Sequence, residues 1–592
     1  MKIEIMTGNE AIARGAYEAS CHLAAAYPGT PSTEILENIA DNYADDINSR
    51  WASNEKTALE IAAGASIGGM RALAVMKHVG VNVAADPMFT LGMTGVEGGL
   101  VIVSADDPAC HSSQNEQDNR LYAPHAKLAM VEASDSQECK DYVKAAFEIS
   151  EKFDIPVLFR MTTRVCHAKS LVKLSDRQEV AVRKYEGNPR KYSMLPANAR
   201  VRHAKREELL VELEEYACTS PLNRIEWGKS KKIGIVTSGI SYQYARDVFG
   251  DEVSYLKLGL TYPLPSKLIQ SFCEDVETIY VIEENEPYLE NKVRALGFAC
   301  VGKDRLPLLG ELNTGIVRKA LTDQPDPEVY KSEISAPPRP PVLCAGCPHR
   351  GYFNALRKRK RDIVAVGDIG CYALGINEPF NGFDISICMG SGFTVPIGLA
   401  EALKKQGDQR KVFGMLGDST FFHSGMTGLV DVVHSNANVV LCILDNDITA
   451  MTGHQANPGT ARSLTGEPAR VVSIEAMVRA TGIEEDRLRI VNPIDQTAMD
   501  AAIDAGIKAE GPFVIITQYP CALIKEVART FVGKYCVIDQ DKCTKCKSCL
   551  RIACPAIALK DGVIQIVDRQ ACTACGLCMQ VCKFGAISKV GE

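Results

Sequence analysis

The sequence predicts an α/β protein assembled from several blocks, and three observations carry that reading. Short apolar runs of strand length alternate with stretches of helical period from the N-terminus to about residue 530. A proline-rich stretch, Ser335–Pro341 (SAPPRPP), has the composition of a linker between blocks. Beyond about residue 535 the chain changes to short, cysteine-dense segments.

In chain order, residues 1–170 form the first block. Asn9–Ala26 has an alanine-rich helical period, and the turn Tyr27-Pro28-Gly29-Thr30-Pro31-Ser32 separates it from a second helix starting near Ser32. Ala72–Met76, Leu100–Val103 and Pro156–Arg160 read as buried strands of a mostly parallel sheet. Residues 171–230 are charged and lack a clean period; they read as a connector with one helix over Lys205–Ala217. A second α/β block, 231–334, has strands at Ile233–Thr237, Val253–Leu258 and Thr278–Ile282, with a helix after Ser238-Gly239. A third, 342–530, has strands at Ile363–Val366, Val412–Leu416, Val439–Leu444 and Phe513–Gln518. The last block spans 535–592.

At 592 residues the chain has length for three or four domains with sizeable cores. Its net charge of −7 is mild and dispersed, which argues against a nucleic-acid partner. No apolar run approaches the roughly 18 residues of a membrane span, and the N-terminus lacks a signal-peptide pattern, so a cytoplasmic location away from the membrane is expected. Of 22 cysteines, nine fall between Cys536 and Cys582. In a chain without an export signal, that density favours metal or redox sites over disulfides.

The stretch Met415–Gly453 places Asp418 and Asn446 just after two apolar runs, at the carboxyl ends of what should be parallel strands. Open α/β sheets bind ligands there. A carboxylate, an amide oxygen, a nearby carbonyl and diphosphate oxygens would give Mg²⁺ its octahedral oxygen shell. The bland alternative is an ordinary βαβ unit with polar loop ends. The spacing resembles the thiamin diphosphate motif, a Gly-Asp-Gly turn followed after a helix and a strand by Asn-Asn, written here as Gly417-Asp418-Ser419 and Asp445-Asn446. That resemblance implies Mg²⁺ on Asp418, Asn446 and the Ile448 carbonyl, with Gly417, Ser419 and Thr452 also against the cofactor.

Two cysteine runs fill the tail: Cys543-x2-Cys546-x2-Cys549-x4-Cys554-Pro555 and Cys572-x2-Cys575-x2-Cys578-x3-Cys582. Cys-x2-Cys pairs also bind zinc, but eight cysteines in two such runs resemble the bacterial two-cluster ferredoxin. In that fold the fourth cysteine of each run serves the other cluster. The resemblance therefore implies one [4Fe–4S] cluster on Cys543, Cys546, Cys549 and Cys582 and another on Cys572, Cys575, Cys578 and Cys554. The first run has one residue more than usual before its last cysteine, and Lys583 stands where a proline usually follows the second. Cys536 is left over and reads as structural.

Further cysteines stand at strand ends or loop starts of the third block: Cys344-Ala345-Gly346-Cys347, Gly370-Cys371 and Tyr519-Pro520-Cys521. They are either buried small hydrophobes or a group converging on one sheet edge. In the first block Asn54-Glu55-Lys56 places a glutamate at a helix start, where it is either a charge solvated against the helix dipole or a functional carboxyl. These pieces, with Tyr27–Ser32, Met76-Lys77-His78 and Cys344–Arg350 (CAGCPHR), resemble the 2-oxoacid:ferredoxin oxidoreductase family across essentially the whole chain. Within it they look like the large subunits that act on aryl 2-oxoacids.

The resemblance implies a thiamin diphosphate-binding fold: a pyrimidine domain (1–170), a connector, a transketolase C-terminal-like α/β domain (231–334), a diphosphate domain (342–530) and a ferredoxin-like tail. It implies Glu55 as the carboxyl that hydrogen-bonds the aminopyrimidine ring, Thr30 near the substrate carboxylate, and a proximal [4Fe–4S] cluster on Cys344, Cys347, Cys371 and Cys521. His78 and His349 are candidates to point inward, although a lone histidine is more often structural. The implied reaction is coenzyme A-dependent oxidative decarboxylation of indolepyruvate or phenylpyruvate, with ferredoxin as acceptor. A separate small β subunit would complete an α2β2 heteromer. Pyruvate, branched-chain or 2-oxoglutarate specificity, a non-redox thiamin decarboxylase, and an electron-passing scaffold are the competing readings.

Overall fold

The computed structural model describes residues 2–324, 333–337 and 339–590; Pro338 of the expected linker, residues 325–332 of the second block and 591–592 of the tail lie outside the described residues. The chain divides into two compact units, residues 1–333 with 464–466, and the remainder.

The first unit is built on a seven-stranded sheet in the order Leu260–Tyr262, Ala129–Glu132, Val157–Thr162, Leu100–Asp106, Ala72–Lys77, Leu23–Ala26 and Asn48–Trp51. All neighbours are parallel except the edge strand Leu260–Tyr262. The strands expected at Ala72–Met76, Leu100–Val103 and Pro156–Arg160 are therefore present, each reaching one to three residues further toward its carboxyl end.

One expectation is corrected. The alanine-rich period at Asn9–Ala26 is helical only as far as Glu18. Ser20 enters the left-handed region (φ 56°), and Leu23–Ala26 is a strand. Ala24 and Ala25 are fully buried between two parallel neighbours, so sheet pairing overrides alanine's weak helical preference. The expected helix near Ser32 spans Thr33–Asn42.

The connector also proves more ordered than its composition suggests. Its helix spans Pro196–Thr219, longer than Lys205–Ala217. The helix buries arginines: Arg206 Nε donates to the Gly92 carbonyl at 2.6 Å and Arg202 Nη2 to Asp154 at 2.8 Å. Paired cations on the inward face explain why no apolar period was visible.

The second sheet of this unit runs Thr278–Ile282, Ile233–Ser238, Ser254–Leu258 and Arg224–Glu226, the last antiparallel. A boundary at 230 does not separate the two sheets, because Leu260–Tyr262 crosses to pair with Ala129–Glu132. Arg120, 1% exposed, donates to Glu283 at 2.6 Å and to the Glu284 carbonyl at 2.7 Å, binding the two α/β blocks through a buried ion pair.

The second unit holds a five-stranded, wholly parallel sheet in the order Ile363–Val366, Lys411–Gly417, Val439–Asp445, Phe513–Gln518 and Leu488–Val491. Leu441, Ile443, Val514 and Ile516 on one face and Phe413, Met415, Cys442 and Ile515 on the other are fully buried, as strands covered on both faces require. The tail adds two antiparallel pairs, Tyr535–Ile538 with Ile587–Val590 and Ile557–Lys560 with Val563–Ile566. Among the described residues no helix is long and apolar enough to cross a membrane.

Candidate active site

Four adjacent strands of the second unit deliver their following loops to one edge. Ile363–Val366 leads to Asp368 and Cys371, Lys411–Gly417 to Asp418, Val439–Asp445 to Asn446, and Phe513–Gln518 to Cys521. Register keeps these ends level: Gly417 pairs with Leu444 and Asp445 with Gln518. Parallel pairing aligns carboxyl ends, which is why one edge can collect groups scattered over 150 residues of sequence.

Asp418 opens the helix that follows its strand and is 3% exposed. The terminal amide of Asn446 lies 3.2 Å from Asp418 Oδ1 and 2.9 Å from the Ile448 carbonyl. Turned one way, its NH2 donates to both. Turned the other way, three oxygens converge, which is the donor set of a Mg²⁺ site. Burial, then the charge of Asp445, pushes the Asp418 carboxyl up to about 8, the condition of a carboxylate placed where a cation would offset its desolvation. These residues fit the metal that anchors a diphosphate.

Gly417 is required beside them, because a Cβ there would lie 2.8 Å from the Tyr372 ring. Ser419 accepts from Thr449 Oγ1 at 2.8 Å, and Thr452 Oγ1 donates to Gln455 at 2.6 Å, so both predicted cofactor-side hydroxyls belong to hydrogen-bonded loops.

Sequence reasoning missed two neighbours. Asn457 Nδ2 donates to Asp418 Oδ2 at 2.9 Å. Asp368, fully buried, accepts from the Gly392 and Ile369 backbone, and burial raises its carboxyl to about 7. The only signal for Asp368 was its place just beyond an expected strand end; Asn457 has none, since its loop is irregular.

Of the four scattered cysteines, Cys371 lies within electrostatic reach of Cys521 and Cys344, and Cys347 within reach of Cys371 and Cys344. Burial raises the Cys371 thiol to about 12, and the charges it next feels are those of Cys521 and Cys344. Cys347, also pushed up to about 12 by burial, feels Cys371 and Cys344. Cys521 and Cys371 both feel the charge of Asp418. His349 follows directly, 3% exposed, edge-on to Tyr372 at 5.8 Å. Burial pulls its imidazole down to about 4, so it packs as a neutral ring.

In the tail the eight cysteines line two hollows. One is walled by Cys543, Cys546, Cys549 and Cys582. The other is walled by Cys554, Cys572, Cys575 and Cys578. The fourth cysteine of each run thus faces the hollow of the other run. Cys536 and Cys347 join the second hollow, so the leftover thiol stands beside the others rather than apart in the core. Four thiols lining one hollow are the ligand set of a [4Fe–4S] cluster.

The first unit carries the remaining predicted residues. Asn54 caps the helix Glu55–Ile67 by accepting from Thr57 at 2.8 Å, which fixes Glu55 at the helix start, 5% exposed. Gly80 lies against it: a Cβ there would meet Glu55 Cγ at 2.6 Å and Oε1 at 2.7 Å. The Tyr27–Ser32 loop is held by Asn9 Nδ2 on the Pro31 carbonyl at 2.8 Å, with Thr30 half-buried and Gly29 against Lys77. His78, at the end of the Ala72–Lys77 strand, is fully buried with Nε2 at 3.2 Å from the Asn115 carbonyl. Loop, Lys77–His78 and Glu55 therefore gather at one strand end.

Comparison with known proteins matches this layout. Residues 14–217 match the thiamine diphosphate-binding domain of pyruvate flavodoxin/ferredoxin oxidoreductase, 368–517 the C-terminal TPP-binding domain of thiamine pyrophosphate enzymes, and 566–588 a 4Fe–4S binding domain. These define a thiamin diphosphate enzyme with iron–sulfur centres, of the 2-oxoacid:ferredoxin oxidoreductase class. The chain is 42% identical over 581 residues to indolepyruvate oxidoreductase subunit IorA of Archaeoglobus fulgidus, covering 93% of this chain and 92% of that protein. It is 38% identical to the subunit of the same name in Methanothermobacter thermautotrophicus, covering 99% and 97%. A 2-oxoglutarate synthase subunit KorA of Methanocaldococcus jannaschii is 31% identical over 192 residues, 31% of this chain and 52% of that one. The chain belongs to the IorA family of indolepyruvate oxidoreductase subunits.

Proposed function

We propose that the chain carries out coenzyme A-dependent oxidative decarboxylation of aryl 2-oxoacids, indolepyruvate and phenylpyruvate, to the aryl-acetyl-CoA and CO2, and passes the electrons to ferredoxin. It works as the large subunit of a cytoplasmic α2β2 heteromer with a small β subunit. What supports this reading is the Asp418, Asn446 and Ile448 group at one sheet edge, with Cys371 and Cys521 following neighbouring strands and within electrostatic reach of Asp418. A thiamin enzyme without a redox role has no need of a thiol group there.

Bound thiamin diphosphate supplies the electron sink for decarboxylation. The chain's residues do the rest. Asp418, Asn446 and the Ile448 carbonyl hold Mg²⁺ for the diphosphate. Glu55, 5% exposed, would hydrogen-bond the aminopyrimidine of the bound cofactor in a place shielded from water. Thr30 orients the substrate carboxylate. The proximal thiols and the two tail sets hold three [4Fe–4S] clusters, and Cys546, exposed in the tail, marks the exit toward ferredoxin.

Assay of the purified heteromer with a panel of 2-oxoacids, coenzyme A and a viologen dye tests this. Dye reduction with indolepyruvate and phenylpyruvate that depends on coenzyme A is expected. Reduction with pyruvate or a branched-chain acid alone overturns the aryl assignment. Free aldehyde as main product overturns the redox assignment.

A further inference from the structure

The guanidinium of Arg350 is 2% exposed and spans two cysteine loops of the second unit. Its Nε donates to the Cys344 carbonyl at 2.8 Å. Its Nη1 donates to the Ile552 carbonyl at 3.0 Å and to the Ala553 carbonyl. Ala553 directly precedes Cys554, within the run that is one residue longer than usual, and it sits in the left-handed region at φ 52°. Its carbonyl is one of the two from this run that Arg350 grips.

The third nitrogen, Nη2, is buried without a hydrogen-bond partner. The Thr573 hydroxyl is likewise buried and unpartnered. Both residues line the same hollow, the one walled by Cys554, Cys572, Cys575 and Cys578. Among the described residues no carboxylate pairs with Arg350; the charges it feels are those of Cys554, Cys347, Cys344 and Cys575. A buried guanidinium nitrogen without a partner calls for an acceptor, and its positive charge favours an anionic one. A four-thiolate iron–sulfur cluster is such a group. The other hollow differs: its one cation, Lys547, is exposed to solvent.

We propose that Arg350 donates a hydrogen bond to the iron–sulfur cluster in the Cys554, Cys572, Cys575 and Cys578 hollow, setting that cluster's potential while clamping it to the Cys344–Cys347 loop. Thr573 is the second donor. Hydrogen bonds to cluster sulfur and nearby positive charge both favour the reduced, more negative state and raise the potential. The inference rests on the reading that this hollow holds a [4Fe–4S] cluster.

The test uses the full chain labelled with ¹⁵N-guanidino arginine and reduced chemically, so that no turnover is needed. Iron and sulfide are counted first; a tail without iron overturns the cluster reading and this inference together. With the tail clusters present, pulsed EPR should show a ¹⁵N coupling at one of them, absent from labelled Arg350→Lys. No coupling in the wild type, or a coupling that persists in that variant, overturns the role of Arg350 and leaves the cluster reading standing. Redox titration of Arg350→Gln should move one tail midpoint to more negative potential at unchanged iron content; unmoved midpoints overturn the proposal. If that variant fails to take up iron, the labelled wild type decides.

Discussion

The backbone N–H of Cys521 donates to the carbonyl of Asn446 across 3.0 Å. One hydrogen bond thus joins the loop of the proposed Mg²⁺ ligand Asn446 to the loop of the proposed cluster ligand Cys521. Cys521→Ala keeps that backbone bond but removes the thiol. Iron should fall from about twelve per chain to about eight, at four per cubane. Thiamin diphosphate affinity should stay within about twofold, since the phosphate anchor is untouched. Iron, acid-labile sulfide and cofactor titration on the same preparation check this; a wild type that already holds only about eight irons removes the proximal cluster.

The proposed Mg²⁺ site should show a proton signature. Burial raises the Asp418 carboxyl to about 8, so near neutral pH the empty site is protonated and metal binding must displace the proton. Apparent affinity for Mg²⁺–thiamin diphosphate should therefore rise about tenfold per pH unit below about 8 and level off above it. Calorimetry in two buffers of different ionisation enthalpy should register about one proton released. Asp418→Asn should weaken binding more than about 100-fold, beyond the loss typical of outer-shell changes, and abolish the slope.

Much of this was legible before any coordinates. Thr278–Ile282, Ile363–Val366 and Phe513–Gln518 were read to the residue, because a short apolar run closed by polar residues has one plausible length. The strand Leu23–Ala26 was not, since three alanines favour a helix until parallel neighbours enclose them. Leu260–Tyr262 was missed for the opposite reason: three residues are too few to show a period. In the site, Asp418, Asn446 and the cysteines were visible through spacing. Asn457, Asp368 and the grip of Arg350 on Ile552 were not, because they arise from contacts between segments far apart in sequence.

Gly80 tests Glu55 without touching it chemically. An added Cβ would press on the glutamate carboxyl, 2.7 Å from Oε1 and 2.6 Å from Cγ. Gly80→Ala should therefore displace the carboxyl and lower kcat in the direction of Glu55→Gln, for which a loss of about 10²–10⁴ is expected of a proton-handling group. Thiamin diphosphate binding and iron content should be unchanged in both. Full activity in Gly80→Ala would show that the Glu55 position tolerates movement and is not the proton-handling carboxyl.

Acid should unfold the first unit through three carboxylates, Glu18 and Asp118 buried and Glu138 part-buried. Burial opposes ionisation of Glu18, Asp118 and Glu138, yet each is held down at about 2. Ser175 with Arg14 and Lys144 does this for Glu18, Arg120 with Arg160 for Asp118, and Lys257 with Ser134 for Glu138. Their unfolded values lie near 4. A depressed folded pKa gives stability that is fully present above the unfolded value and is lost as pH falls toward the folded one. The unfolding temperature of this unit, followed calorimetrically on the full chain, should thus be flat in these groups from pH 7 to 5 and drop steeply between about 4.5 and 2. Glu138→Gln strips Lys257, a fully buried cation, of its carboxylate. It should cost about 3 kcal/mol or more at pH 7, as breaking a buried pair does, and shrink the acid-dependent loss. An unfolding temperature in that variant as steep with pH as the wild type would remove Glu138 from the set.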